Sequence, residues 1–294
     1  MKLVDFGPVG TNDDTFAWTK AFEAINRAGG GVLELPPRHT AFTPLTIPQN
    51  LTLRGCGKEV SKISGTLSKV YPDHNNVNRL NLVVQNVGFS GAINIERADY
   101  FDFEHVSFKD SACAVRLAGA WRGGFRFCHF ENIDNFGVLM EMADGVGCNH
   151  TWVEHSEIIG NNKPSFIGLV LRGQNICIEK NDITGSGNGL HGILIEGTNG
   201  LRLEKNYIEQ WVGSAITGNS GQANTRVRVV GGNIHSRHQF ICDFDNPLND
   251  DIRVKDVRFS DAVAWQTCIK FGASTNYSAP DIDPAAAAKS DRQL

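Results

Sequence analysis

Three glutamates recur at the same place in successive sequence repeats. Glu154, Glu179 and Glu204 each occupy the second position of a hexad, VEHSEI, IEKNDI and LEKNYI, and the three hexads begin 25 residues apart. In a parallel coil, equivalent positions stack about 4.8 Å apart, so these residues are predicted to form an acidic column. Neighbours about 5 Å apart, or an outer pair about 10 Å apart, are close to the separations that glycosidases use.

The fifth hexad position adds Glu157, Asp182 and Tyr207. Crowded carboxylates raise one another's pKa, which keeps one of them protonated as a general acid beside an ionised base or nucleophile. We therefore predict a catalytic set, with Glu157 and Tyr207 contacting substrate. The predicted catalytic residues are Glu154, Glu179, Glu204 and Asp182.

The basic residues next to the acidic column support a different interpretation. His155, Lys180 and Lys205 each follow one of the three glutamates. Adjacent charges of opposite sign are typical of a solvated face, on which ion pairs contribute little. The sequence leaves both interpretations open, and His155 is also a candidate for binding substrate.

Two further residues are candidates for substrate binding. His191 lies between Gly189 and Gly192, where permissive backbone can hold an imidazole clear of the surface for acid or base work. It belongs to the same repeat as Glu179 and Asp182, so this repeat is the predicted centre of the site. Trp211 follows the Tyr207 hexad and is either a stacking platform for a sugar ring or a buried anchor of its loop.

The elements that position these side chains follow from the repeat itself. Hexads begin at residues 84, 103, 125, 153, 178, 203, 229 and 254, a spacing that indicates a solenoid. Asn181 and Asn206 fall at the fourth position and are predicted to hydrogen-bond along the axis. Apolar residues spaced as on one helical face predict a capping helix over 15–27. The predicted divisions are a cap (1–57), the coils (58–272) and a tail or second cap (273–294).

Composition excludes several classes of function. The net charge is −4, which gives no general attraction to nucleic acid. No apolar run approaches the about 20 residues that a membrane span needs. The seven cysteines are scattered singly, without the spacing of a zinc cluster or a disulfide framework. We therefore expect no metal and no cofactor, and the N-terminus lacks the apolar segment of a signal peptide, which indicates synthesis in a reducing cytosol.

The N-terminal segments VDFGPVGTNDDT and AGGGVLELPP resemble the opening of the pectate-lyase-like superfamily, although Arg38, His39 and Thr40 depart from its usual Gly-x-Tyr. The resemblance implies an all-β fold, a right-handed parallel β-helix with an N-terminal capping α-helix. This opening is common in phage tailspikes and polysaccharide-active enzymes. The resemblance therefore also implies a virion or extracellular location and a homotrimer.

These observations together predict a depolymerase that hydrolyses a bacterial surface polysaccharide, with the polysaccharide as its partner. One alternative is a lyase or C5-epimerase acting on uronic-acid polymers, for which His191, Lys180 and Lys205 would supply the base and the positive charge. The other is a non-catalytic carbohydrate-binding spike or adhesin, in which the acidic column only increases solubility. The loops at residues 71–78 and 161–166 are expected to shape the groove.

Overall fold

The computed structural model describes residues 1–73, 79–160, 163–259, 267–272 and 277–278. The chain winds into a parallel β-solenoid of about nine coils, in which each strand pairs with a strand one coil further along. The predicted all-β parallel coil is thereby confirmed. Nearly all of the tail predicted over 273–294 and parts of the loops at 71–78 and 161–166 lie outside the described residues.

The strands stack into three parallel sheets, named first, second and third in the order in which the chain visits them. The first sheet contains Gly31–Glu34, Leu51–Arg54, Arg79–Gln85, Asp99–Glu104, Trp121–Arg126, Cys148–Glu154, Cys177–Glu179, Arg202–Glu204, Thr225–Val230, Asp250–Lys255 and Tyr277–Ser278. The second contains His39–Ala41, Lys62–Ser64, Gly88–Ser90, Glu157–Ile159, Asp182–Thr184, Tyr207–Trp211, Asn233–Ser236 and Arg258–Phe259. The third contains Leu45–Thr46, Leu67–Val70, Ile93–Glu96, Ile167–Gln174, His191–Asn199, Ile216–Thr217, Phe240–Phe244 and Thr267–Phe271, while Ser107–Ala118 and His129–Glu141 run through the second and third sheets.

Each hexad turns the corner between the first and second sheets. Its third residue has a left-handed backbone, with φ of 54° at Lys180 and 53° at Lys205, and this conformation bends the chain from the first sheet into the second. The hexad is therefore two short strands on two faces rather than one strand. As a result Glu179 and Asp182 lie on different faces of the solenoid, on either side of the corner.

The core lies inside the coil and is continuous along it. The inward hexad positions contribute apolar side chains from every coil, among them the fully buried Val153, Ile158, Ile178, Ile183, Leu203 and Ile208. Asn206 adds a polar line at the corner, because its Oδ1 accepts hydrogen bonds from the backbone N–H and side-chain Nδ2 of Asn181, both at 3.0 Å. The predicted hydrogen bonding of the corner asparagines is confirmed.

The N-terminal end of the solenoid is closed by the helix Thr15–Arg27, which matches its predicted bounds. Its buried face carries Ala17, Trp18, Ala21, Phe22 and Ile25. A short 3₁₀ helix, Leu3–Phe6, precedes it. No helix in the described ranges is both long enough and apolar enough to cross a membrane.

Two sets of contacts join the cap to the coil. The Asp14 carboxylate accepts the N–H groups of Gly10, Thr11 and Ala41, which lie in the preceding loop and in a strand. Gly31–Glu34, within the predicted cap (1–57), already pairs with Leu51–Arg54 in the first sheet. The cap and the first coil therefore share residues.

Candidate active site at the corner of the coil

The acidic column lies on the outer face of the first sheet. Glu154 pairs in register with Glu179, and Glu179 pairs with Glu204, as the hexad alignment predicts. Carboxylate oxygens of Glu154 and Glu179 lie within 4.8 Å of each other. The predicted proximity of neighbouring carboxylates is therefore present.

Each member of this column also faces a cation. Glu154 lies 3.7 Å from the Arg126 guanidinium, and Glu179 lies 2.6 Å from the Lys180 ammonium. The Lys180 hydrogen bond lowers the pKa of Glu179, whereas a general acid needs a raised one. Glu204 contacts Arg202 and Lys205. This electrostatic balance is that of a charged, solvated face.

Cys177 lies between Glu154 and Glu179, and atoms of all three residues fall within 4.8 Å of one another. This spacing is compatible with a bound cation, but the surroundings oppose one. Burial raises the pKa of the Cys177 thiol, and the charges of Glu179 and Glu154 raise it further, so the metal-binding thiolate is disfavoured. The Lys180 ammonium already contacts Glu179.

A second column lies around the corner, on the outer face of the second sheet. Glu157, Asp182 and Tyr207 are register partners in three consecutive strands, and all three are exposed. Partial desolvation raises the pKa of Asp182. The hydroxyl of Thr184 opposes this shift, and the charges of Glu157 and Glu209 reinforce it. Asp182 thus has the raised pKa that a general acid needs, whereas Glu179 in the acidic column has a lowered one.

His129 holds the neighbouring carboxylate in place. Its Nδ1 lies 2.8 Å from Glu157, and its Nε2 lies 3.2 Å from Glu131. Glu131 in turn contacts the Lys109 ammonium at 3.2 Å. His129 was not among the residues predicted from the sequence. It occupies the same hexad position as Glu157 and Asp182, one coil before Glu157.

An open groove follows the corner beside this second column, and we call it the corner groove. Its volume is about 530 Å³. His155, the remaining candidate on the corner, lies in it and is exposed. The lining residues are Lys58, His105, Phe127, Cys128, His129, His155, Ser156, Glu157, Lys180 and Asp182.

His191 does not lie with these carboxylates. It opens a strand of the third sheet, where it pairs with Ile167, and its Nδ1 contacts the Ser214 carbonyl at 2.9 Å. Burial lowers its pKa, although the Ser214 carbonyl acts in the opposite direction. Membership of one repeat did not bring His191 to the corner, because each coil runs through three faces. Of the three residues considered for the lyase or epimerase alternative, His191 is thus absent from the corner, whereas Lys180 and Lys205 lie on it.

Trp211 is a buried anchor and not a stacking platform. Its side chain is fully buried, its ring stacks on Phe166 at a centroid distance of 5.9 Å, and its Nε1–H donates to the Ile183 carbonyl. No face of this indole is open to a sugar. Tyr207 in contrast is 39% exposed, and its hydroxyl lies 2.7 Å from Glu209 Oε2.

Solved structures show how this architecture recurs. ORF18 of Geobacillus virus E2 superposes with a TM-score of 0.71 at 15% identity, covering 94% of this chain and 59% of the viral chain. PfbA, a surface adhesin of Streptococcus pneumoniae, gives 0.63 at 12% identity, covering 92% and 76%. A GH87 α-1,3-glucanase from Streptomyces thermodiastaticus strain HF3-3 gives 0.55 at 13% identity, covering 94% and 64%.

At these identities the likeness shows the fold, which viral, adhesive and enzymatic proteins share. The chain spans about three fifths of the viral protein's length. No curated protein sequence matches it. The family model described as the right-handed beta helix region matches residues 91–245, which is more than half of the chain. The coil, its register and this match together show that the chain belongs to the right-handed β-helix family.

Proposed function

We propose that this chain binds a polysaccharide along the corner groove and hydrolyses its glycosidic bonds, with Asp182 as general acid and Glu157 as the partner carboxylate. The observation that carries the proposal is the raised pKa of Asp182 beside a carboxylate that His129 holds. A carboxyl whose pKa is raised, next to a fixed carboxylate, is the arrangement that glycosidic hydrolysis uses.

The strand spacing supports a particular stereochemistry. Glu157 and Asp182 are Cα partners on adjacent strands, which lie about 4.8 Å apart in a sheet. Retaining glycosidases hold their carboxyl groups about 5–5.5 Å apart, whereas inverting enzymes leave about 6.5–9.5 Å for a water molecule. In this mechanism Asp182 protonates the leaving oxygen while Glu157 attacks the sugar, and Asp182 then deprotonates the incoming water.

A non-catalytic carbohydrate-binding spike is the second candidate, and the acidic column favours it. Glu154, Glu179 and Glu204 are each matched by a cation, so this face has the character of a solubilising surface. A surface adhesin is among the proteins with a similar fold. In that case the corner groove would bind the saccharide without cleaving it.

Location and assembly belong to the same proposal. The likeness to a viral protein supports a place on a virion or outside the cell. We also retain the homotrimer implied by the resemblance to tailspikes. Light scattering of the purified chain measures the mass of the particle directly, and a monomer would contradict the trimer.

The activity can be tested with a panel of purified bacterial capsular and exopolysaccharides. Cleavage appears as a fall in polymer mass by size-exclusion chromatography with light scattering, together with new reducing ends. Ultraviolet absorbance of an unsaturated product would instead indicate a lyase. Retention of a polysaccharide with no change in its mass would favour the spike.

A further inference from the structure

The corner groove contains an exposed phenylalanine at the left-handed corner position. Phe127 occupies the left-handed corner position with φ of 54°, and 41% of its surface is exposed. A bulky residue rarely adopts this backbone conformation, and an exposed phenyl ring gains nothing from burial. The equivalent positions in neighbouring coils hold His105 and His155. Phe127 thus combines backbone strain with an exposed apolar surface, a combination associated with ligand sites.

Phe127 forms a ring stack with these two histidines. The His105 and Phe127 rings are 5.0 Å apart and nearly parallel, and the Phe127 and His155 rings are 5.2 Å apart and tilted by 37°. The inner ring faces are turned toward one another, so the stack offers mainly its edges to the groove. Aromatic edges carry partial positive charge, and imidazole N–H groups are hydrogen-bond donors. Oxygen-rich and negatively charged ligands suit such a surface.

A lysine is held at one end of this stack. Lys58 belongs to the loop of residues 55–61, and its carbonyl accepts a hydrogen bond from the Ser107 hydroxyl at 3.4 Å. Gly88 makes room for the loop, because a Cβ there would lie 2.3 Å from the Lys58 carbonyl oxygen. The adjacent Glu59 fastens the loop through ion pairs with Lys62 and Lys109.

The Lys58 ammonium itself is available to a ligand. Among the residues that the structure describes, no carboxylate oxygen lies within ion-pair distance of it. The other groove lysine, Lys180, is paired with Glu179 at 2.6 Å. At the far end of the groove, Glu157 is engaged by His129. The groove is therefore most receptive to an anion at its Lys58 end.

We propose that the corner groove binds an anionic saccharide, with a negatively charged group of the sugar held by Lys58 and its rings lying along the edges of His105, Phe127 and His155. Lys58 overlies the coil of Ser107, three coils before Asp182. This places the bound charge about 14 Å from the acid at 4.8 Å per coil. The inference rests on the proposed function, which sets the direction in which the polymer lies in the groove. Saccharide binding is nevertheless measured independently of polysaccharide cleavage.

The test compares two trisaccharides of equal length by isothermal titration calorimetry, trigalacturonate as the anionic probe and maltotriose as the neutral one. The wild-type chain should bind trigalacturonate at least about tenfold more tightly, because only the anionic probe can make a charge-assisted contact with Lys58. Lys58→Gln should remove that preference. Equal affinities for the two probes, or no binding of trigalacturonate, would overturn the proposal.

Variants in the ring stack and a control complete the experiment. Phe127→Asn should weaken trigalacturonate binding about tenfold or more, the effect expected when a ring that contacts the ligand is removed. Asn occupies the same left-handed position at residue 86, so this variant should fold. Lys205→Gln, which removes a corner lysine outside the groove, should leave affinity unchanged. If Lys58→Gln binds as tightly as wild type, the inference fails.

Cleavage distinguishes this inference from the proposed function. Preferential trigalacturonate binding by a chain that cleaves no polysaccharide would support the groove assignment and contradict the hydrolase. Cleavage of a neutral polymer without trigalacturonate binding would contradict the groove assignment and support the hydrolase. A sulfated trisaccharide as a third probe shows whether carboxylate or sulfate is preferred.

Discussion

Glu157 and Asp182 are register partners on adjacent strands, yet only Glu157 contacts an imidazole, that of His129 at 2.8 Å. Asp182 instead lies near two negative charges, those of Glu157 and Glu209, and its pKa is raised. Equivalent positions in a regular coil thus have different electrostatic surroundings.

Replacing Asp182 by Asn should abolish most of the proposed hydrolysis. Loss of a general acid typically costs about 10²–10⁴-fold in rate. Stability should not fall: a carboxyl with a raised pKa destabilises the fold as pH rises through that pKa, and a neutral amide removes this effect. Initial rates and melting temperatures of the two proteins check both expectations.

Glu179→Gln is the matched control for that experiment. Its carboxylate has a lowered pKa and contacts Lys180, so we expect activity close to wild type. A loss as large as that of Asp182→Asn would return the catalytic assignment to the acidic column. Unchanged activity in Asp182→Asn would remove this residue from the mechanism.

The cap should become less stable in acid through Asp14. Burial acts to raise the pKa of this carboxyl, but hydrogen bonds from Thr11, Ala41 and Gly10 together lower it below its ordinary value of 3.8. Its stabilisation is therefore present above about pH 4 and is lost as pH falls through the lowered value. Asp14→Ala should cost about 1–3 kcal/mol at neutral pH, because three partly buried amides lose their acceptor.

Urea unfolding of Asp14→Ala and wild type at pH 7 and near pH 3 measures this linkage. The difference in unfolding free energy should shrink at the lower pH. Asp13→Ala removes the neighbouring exposed carboxylate, whose Oδ1 accepts the backbone N–H and the hydroxyl of Thr15, and it should change the unfolding free energy less than Asp14→Ala at both pH values. A difference that grows toward acid pH would contradict the assignment.

Removing the corner amide of Asn206 should destabilise the solenoid. Its oxygen accepts two hydrogen bonds from Asn181, and its Nδ2 donates to the Ile178 carbonyl at 2.9 Å. Asn206→Ala would leave buried donors unpaired, at a cost of about 1–3 kcal/mol. Thermal unfolding monitored by circular dichroism gives the change, and Lys205→Ala on the same corner should have little effect. Equal melting temperatures for Asn206→Ala and wild type would refute it.

The cysteines should label in an order set by burial. Cys56 is exposed, whereas burial raises the pKa of Cys128 and Cys148 to about 12 and that of Cys242 further still. Thiolate is the reactive form, so an aromatic disulfide reagent should modify Cys56 first in the native protein. Cys56→Ser should remove this fast phase. Persistence of the phase would show that another thiol is accessible.

The sequence repeat predicted the register of the coil because apolar residues recur at the first and sixth positions of every hexad. The pairing of Glu154 with Glu179 and the bounds of Thr15–Arg27 both follow from such periodicity. The corner was also encoded, since in the hexads that begin at residues 103, 125, 153, 178 and 203 the first, fourth and sixth residues are buried while the third is exposed and left-handed. That interruption of strict alternation separates Asp182 from Glu179.

The site was harder to predict because membership of a repeat determines a residue's position along the solenoid axis but not the sheet on which it lies. His191 shares a coil with Asp182 yet lies on the third sheet, a result of the chain length between the two strands. Trp211 lies near a turn, and the sequence around it does not distinguish the observed buried indole from an exposed one.

Because successive coils pair in the same register, one complete coil could be removed or duplicated without disturbing the pairing of the others. Glu179 and Glu204 occupy equivalent places 25 residues apart, on strands that pair with each other and bury the same kind of side chain. Loss or duplication of one complete turn would bring together strands that already fit. Recombination can therefore lengthen the molecule, or move a binding position along its axis, while the packing of the hydrophobic core stays the same.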